Sequence, residues 1–392
     1  MDHKEIEVVI IGIGQTAVGE LWDLSLRDLA VQAVQAARKD SGGFKPNAVY
    51  VGNYLAASGS RQANLGALIT EYAGLIGTEG VTVEAADASG GAAVRMAYTA
   101  VKSGMIDCAM AVGVEKYTDV LGSENDALIA QMLDADYEAT EGLTPAAQAA
   151  LLMNRYIYEN QVPREALAGF PLVAHANGAN NPFAMYKKAI SRDVYLRAGM
   201  QYPPLNLFDV APYADGAAAV IMTRKDLVPP GYPHALVKVS GSSLIVDRLA
   251  LHDREDPLFF SAAGLSVQKA CDQAGIQPSD VDFFEYADIT SLHAILSLEA
   301  AGFSKRGEGW RLATDSTLTI TGSLPVATMG GYKARGHALG ASGVYQAVEA
   351  VLQLRHQAGL CQVPNAKLGM IQCLGGLAGT AVTHILERVD DY

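Results

Sequence analysis

The chain has 392 residues, half of them apolar, enough to bury a large core and to fill roughly two or three domain-sized units. A net charge of −13 and a pI near 5.0, with no basic stripe to offset phosphate repulsion, argue against a nucleic-acid binder. Four dispersed cysteines, Cys108, Cys271, Cys361 and Cys373, contain no C-x-x-C pair; they suggest neither a disulfide framework nor a zinc knuckle, and a reducing cytoplasm fits them best.

The opening Met1-Asp2-His3-Lys4-Glu5 lacks the charge and apolar pattern of a signal peptide. No apolar run reaches the roughly 18 residues of a membrane span, so a soluble cytoplasmic protein with no membrane segment is expected. A strand-like run over residues 8–13 leads into Gly12-Ile13-Gly14-Gln15-Thr16-Ala17, which satisfies the dinucleotide pattern G-x-G-x-x-A. The next strand, 48–51, does not end on an acidic residue to hold a ribose, so a nicotinamide-dependent oxidoreductase is disfavoured.

Helical spacing covers 26–38, and 79–85 is β-prone and apolar enough for a buried strand. Helical spacing returns over 92–101, so Asp87 to Gly91 must turn sharply between them. Small residues in Glu84-Ala85-Ala86-Asp87-Ala88-Ser89-Gly90-Gly91 let the backbone approach a substrate, and amides opening a helix favour an anion or a developing oxyanion. The plainer reading of Asp87 is an ordinary helix N-cap.

Strand 108–112 follows, and then the texture changes. Residues 120–205 are richer in polar and aromatic residues and carry Pro145, Pro163, Pro171, Pro182, Pro203 and Pro204, which suggests an inserted loop domain covering a site. Strand patterns resume at 217–222, a Pro229-Pro230-Gly231 break follows, and strands at 237–241 and 380–385 flank a helix at 344–354. Alternating strands and helices indicate α/β layers. Asp87-Ala88-Ser89-Gly90-Gly91 and His337-Ala338-Leu339-Gly340-Ala341-Ser342-Gly343 each open a helix followed by an apolar strand, so the halves 1–228 and 229–392 read as a duplicated unit with two helix N-termini at one cleft.

Several segments carry a family resemblance. They are Gly12-Ile13-Gly14-Gln15-Thr16, Tyr50-Val51-Gly52-Asn53, Gly113-Val114-Glu115-Lys116, Asp215-Gly216-Ala217-Ala218-Ala219, Gly330-Gly331-Tyr332-Lys333-Ala334-Arg335-Gly336-His337 and Gly375-Gly376. With them, essentially the full chain resembles the thiolases, closest to the sterol-carrier-protein type and the archaeal acetoacetyl-CoA type. The resemblance implies two similar βαβαβαββ halves in a five-layered α-β-α-β-α fold, with the insertion capping a coenzyme A site. It also implies a homodimer or tetramer, with a zinc-ribbon/OB-fold protein and hydroxymethylglutaryl-CoA synthase as possible partners.

The resemblance breaks at the chemistry. Thiolases of this type read E-A-A-C-A-S-G-G, with cysteine accepting the acyl group; this chain has Asp87. The His or Asn that helps bind the thioester oxygen becomes Ala287, and the N-P-S-G-G motif becomes Ala327-Thr328-Met329-Gly330-Gly331. The histidine of G-H-P survives as His337. Cys373-Leu374-Gly375 matches C-x-G, placing Cys373 at the acid/base position, with the amides of Asp87 and Gly375 as an oxyanion hole. The plainer readings are a satisfied core histidine for His337 and a small buried hydrophobe for Cys373.

Acylating a carboxylate makes a mixed anhydride, uphill from a thioester, and its charge would repel an adjacent oxyanion. Three functions stay open. The first is a CoA-thioester enzyme without an acyl-enzyme step, with Asp87 or Cys373 as base, His337 and amides holding an enolate or alkoxide, and Tyr286 or Tyr332 as a phenol donor. The second is a noncatalytic subunit that binds CoA or scaffolds a complex; the third is an acyltransferase using Cys373. Lys187, Lys188 and Arg192 are candidate CoA phosphate contacts, though such a cluster is more often a solvated helix face.

Overall fold

The computed structural model describes residues 6–389; the opening segment 1–5 lies outside the described residues. The first half runs β1 (Val8–Gln15), α1 (Leu26–Asp40), β2 (Ala48–Gly52), α2 (Leu65–Tyr72), β3 (Glu79–Val83), α3 (Ser89–Lys102) and β4 (Cys108–Glu115). The insertion follows with α4 (Ser123–Ile129), α5 (Pro145–Asn160), α6 (Gly169–Gly178), α7 (Arg192–Arg197) and a hairpin of β5 (Met200–Tyr202) and β6 (Leu205–Asn206). β7 (Gly216–Arg224) then returns to the core. The second half runs β8 (Leu236–Val246), α8 (Ser261–Ala274), β9 (Phe283–Glu285), α9 (Ser291–Ala300), α10 (Ser342–Leu354), β10 (Leu368–Gly375) and β11 (Thr380–Val389).

The main sheet has the order β3-β2-β4-β7-β1-β8-β11-β10-β9. In each half two parallel strands, β2 and β4 or β9 and β10, are followed by an antiparallel strand, β7 or β11, which pairs antiparallel with the half's first strand. The counterpart of β3 shrinks in the second half to a parallel bridge between Phe284 and Val326. The half-sheets join edge to edge through Val9↔Lys238 and Ile10↔Val237.

Side-chain alternation along β1 builds the layers. Val9 and Ile11 face outward against Leu29, Ala33, Val34 and Ala37 of α1, a stripe at helical spacing behind the Ser25–Asp28 capping box. Val8 and Ile10 face inward, into a cluster shared with Val94 and Ala97 of α3 and Val344 and Val348 of α10. Each such aliphatic side chain contributes roughly 1.5–3 kcal/mol on burial. Helices α3 and α10 both touch strands of both half-sheets, while α8 packs outside β8 and β11. The result is the five-layered α-β-α-β-α core that the resemblance implied.

Two local expectations need correction. Strand β3 is not buried: it is the sheet's edge, with Val81 half exposed, and its β-branched residues serve pairing to β2 rather than a core. The insertion is not mainly loop; α5 and α6 join Leu292, Ile295 and Leu296 of α9 in one apolar cluster, so it is packed onto the second half. Among the described residues, no helix is long and apolar enough to cross a membrane.

Candidate functional site

Asp87 sits in a strained turn. After β3, Ala86 adopts φ +51° and α3 begins at Ser89 with Ala88 as its N-cap. A left-handed non-glycine residue costs roughly 1–2 kcal/mol. Ser89 holds it in place, its Oγ accepting from the Ala85 amide at 2.9 Å and donating to the Ala86 carbonyl at 2.6 Å. The Asp87 carboxyl therefore does not cap α3; it lines a cavity instead.

The second half repeats this turn. Leu339 has φ +36°, Ala341 is the N-cap and Ser342 opens α10, just as Ala86, Ala88 and Ser89 do for α3. The two helix starts meet backbone to backbone. A Cβ on Gly343 would lie 2.3 Å from the Gly91 amide, and one on Gly90 would lie 2.7 Å from the Gly340 carbonyl, so only glycine allows this approach.

At the meeting point lies a cavity of about 30 Å³, room for a water molecule or two, lined by Asp87, Tyr213, Thr290, His293, His337 and Gly376 among others. Asp87 Oδ1 is 3.6 Å from His337 Nε2. Neither atom has a hydrogen-bond partner among the described residues, and neither has the hydroxyl of Tyr332, whose ring meets His337 edge-on at 5.0 Å. Burial pushes the Asp87 carboxyl up to about 7, with the Gly376 amide pulling it back in part. Burial, then the Arg335 charge, pushes His337 down to about 3, so its ring is neutral.

Cys373 lies behind this group and does not line the cavity. Its Sγ is 3.8 Å from the Ala88 carbonyl, packed with Ala92 and Val382, and burial pushes the thiol up to about 12. Tyr286 is apart from Asp87, packing on Phe284 in the second-half core, where Asp288 and Glu285 carry the nearby charges. Ala287 is buried in that same core, and Ala327 takes φ +46° at the end of the bridge to Phe284. The Gly376 amide bonds to the Asp87 carboxyl, and Gly375, whose amide is expected beside that of Asp87 in an oxyanion hole, ends β10 opposite Thr380. Lys187, Lys188 and Arg192 are all exposed; Lys188 reaches a second, outer cavity, which Lys187 and Arg192 do not line.

His293 escaped the sequence reading. It occupies the first turn of α9, with Nδ1 2.8 Å from the Thr290 hydroxyl and Nε2 3.3 Å from the Gly376 carbonyl. The carbonyl needs a donor, so Nε2 carries the proton and Nδ1 accepts from Thr290. Burial pushes this histidine down to about 3, and both nitrogens are occupied; it clamps the Gly376 turn under Asp87. The available signal was the spacing of Thr290 and His293, an N-cap hydroxyl and a side chain one turn on.

The resembling segments hold this arrangement. The Glu115 carboxylate accepts from the amides of Tyr54, Leu55 and Gly340 and from the Asn53 side chain, at 2.8–3.1 Å, tying the first half to the start of α10. Asp215 accepts from the amides of Leu21, Tyr117 and Thr118 and pairs with Lys116 at 3.0 Å. The Tyr117 hydroxyl in turn donates to the His337 carbonyl at 2.7 Å.

A duplicated α/β core whose halves bring two helix amino ends to one buried carboxyl–imidazole cavity has the architecture of the thiolases. Residues 8–226 match the family described as thiolase, N-terminal domain, and residues 243–388 match thiolase C-terminal domain-like; the chain belongs to the thiolase family. It is similar to the acetyl-CoA acetyltransferase of Methanothermobacter thermautotrophicus, 40% identical over 97% of this chain and 100% of that protein. It is also similar to the benzoylsuccinyl-CoA thiolase subunit BbsB of Thauera aromatica, 29% identical over 95% of both chains. Among solved structures, the Ltp2-ChsH2(DUF35) aldolase shares the fold, with TM-score 0.82, 22% identity and coverage of 97% of this chain and 98% of that one.

Proposed function

We propose that the chain binds an acyl-CoA thioester at the Asp87 cavity and cleaves or forms a carbon–carbon bond beside the thioester without an acyl-enzyme. The supporting observation is the pair of buried, unpartnered polar atoms Asp87 Oδ1 and His337 Nε2 on a cavity that Cys373 does not line, with the unpartnered Tyr332 hydroxyl on a ring packed edge-on against His337. A carboxyl near 7 can take and return a proton at neutral pH. In the cleavage direction the β-hydroxyl proton moves to Asp87, the Cα–Cβ bond breaks to a carbonyl product and a thioester enolate, and Asp87 returns the proton to the enolate carbon. His337, which lines the cavity, is the group to face the enolate oxygen, with the Tyr332 ring packed against it.

The test is incubation with a β-hydroxyacyl-CoA, reading carbonyl product and shortened thioester, with intact mass of the protein taken during turnover. Product without a covalent adduct supports the proposal; an acyl group on Asp87 or Cys373 overturns it. Acyl transfer is the second reading, favoured by the name of the relative from Methanothermobacter. It requires a thiolate at Cys373, which a thiol pushed up to about 12 beside the Ala88 carbonyl does not readily supply. A second copy of this chain and a DUF35-type protein, the kind named for the aldolase neighbour, are the proposed partners. Co-purification of the two chains checks the latter.

A further inference from the structure

A second cavity, of about 380 Å³, opens on the far side of Val210 and Ala211, which line both cavities. Its volume is that of a small-molecule site. Ile190, Leu207 and Phe208 give it an apolar body. Two buried polar side chains also line it, Lys333 at 1% and His175 at 4% exposure.

Their hydrogen bonds define what they can still accept or donate. Lys333 Nζ gives one proton to the Asp209 carbonyl at 2.5 Å and forms no ion pair among the described residues, so further N–H donors remain. The His175 ring is fixed by stacking on Tyr186 at 5.7 Å and by the Phe208 edge at 5.5 Å. It bonds to the Lys188 backbone, and its Nδ1 has no partner. A ring whose Nε2 proton goes to that backbone carbonyl presents a lone pair at Nδ1. The lining therefore includes a donor, Lys333, and an unpartnered acceptor, His175 Nδ1, on an apolar body.

We infer that this cavity binds a hydrophobic ligand of the phenol class, whose hydroxyl donates to His175 Nδ1 and accepts from Lys333. A hydroxyl satisfies both groups, whereas a carboxylate satisfies Lys333 and sets its own lone pairs against that of His175. Assigning the ligand as the acyl end of a thioester rests on the proposed function, through the shared Val210–Ala211 wall; the existence of the site does not.

Calorimetric titration of the full chain with p-cresol, its methyl ether 4-methylanisole and benzoate tests the inference without coenzyme A. Saturable binding of p-cresol is expected, with the ether at least about tenfold weaker because Nδ1 stays unpartnered. His175→Phe should erase that preference. Ile190→Trp, which fills the cavity and leaves both polar groups in place, should abolish binding in a protein whose melt shows it folded. Lack of saturable p-cresol binding, tighter binding of benzoate, or an unchanged preference in His175→Phe would overturn the site, whatever becomes of the carbon–carbon chemistry.

Discussion

Asp87 Oδ1 and His337 Nε2 face each other at 3.6 Å, each without another hydrogen-bond partner among the described residues. The distance is too long for a hydrogen bond, and both groups are buried. Leaving two such atoms unsatisfied costs on the order of 1–3 kcal/mol each. A turn strained at Ala86 and a backbone crossing that admits only glycine hold them there, which is the arrangement the proposed function requires, with a third group between them.

Replacing Asp87 by Asn keeps the shape and removes the base. Turnover of a β-hydroxyacyl-CoA should fall by about 10²–10⁴-fold. The fold should be retained, because the carboxyl caps no helix. A variant with near-normal turnover would rule out the carboxylate as the proton acceptor.

The same carboxyl sets two pH dependences. As a base Asp87 must be ionised, so kcat/KM should rise as pH increases through about 7. For stability the sign is opposite: with a folded pKa raised from 3.8, the folded state holds more protons than the unfolded one between about 4 and 7, and stability falls as pH rises through that window. His337 opposes it, gaining stability as pH rises from about 3 toward 6.5. Denaturant titrations of the wild type minus those of Asp87→Asn isolate the Asp87 part; a flat difference from pH 4 to 7 would contradict the assigned burial.

Cys373 and Gly91 form a packing pair. A Cβ on Gly91 would fall 2.1 Å from Cys373 Sγ, so Gly91→Ala should destabilise by about 1–3 kcal/mol or more. Removing the sulfur in Cys373→Ala opens space for that methyl, and the double variant should cost less than the sum of the singles. Cys373→Ala alone should retain turnover. Strict additivity by chemical denaturation would mean that the helix starts yield elsewhere, and lost turnover in a folded Cys373→Ala would restore the thiol to the chemistry.

The layers were legible because their signals are periodic: the α1 stripe, the alternation along β1 and the two glycine-rich openings each repeat at a fixed spacing. Asp87 and His337 were legible because each sits beside small residues at a helix start. His293 was not, since it acts through the carbonyl of a residue 83 positions away. Nor could sequence separate Tyr332 from Tyr286. Both are buried tyrosines of one apolar cluster, and the turn over Gly331–Arg335 sets the ring of the first against His337 while the second packs on Phe284. Lys333 and His175 share a cavity across 158 residues of chain, a proximity set by packing of the insertion on the second half.

Glu115 offers the sharpest test of how the halves are held in register. Burial pushes its carboxyl up to about 8 against the pull of the Leu55, Tyr54 and Gly340 amides. Glu115→Gln keeps the volume but turns an NH₂ group toward donors, leaving at least one buried amide unpaired at a cost of about 1–3 kcal/mol. Since Gly340 lies three residues past His337, the expected result is a lower melting temperature together with faster hydrogen exchange at Gly340 and reduced turnover. Glu79→Gln, on the exposed β3 edge, should change stability by less than about 0.5 kcal/mol. If Glu115→Gln lowered the melting temperature while exchange at Gly340 and turnover stayed at wild-type values, the carboxylate would be supporting the loop from Asn53 to Leu55 and not the start of α10.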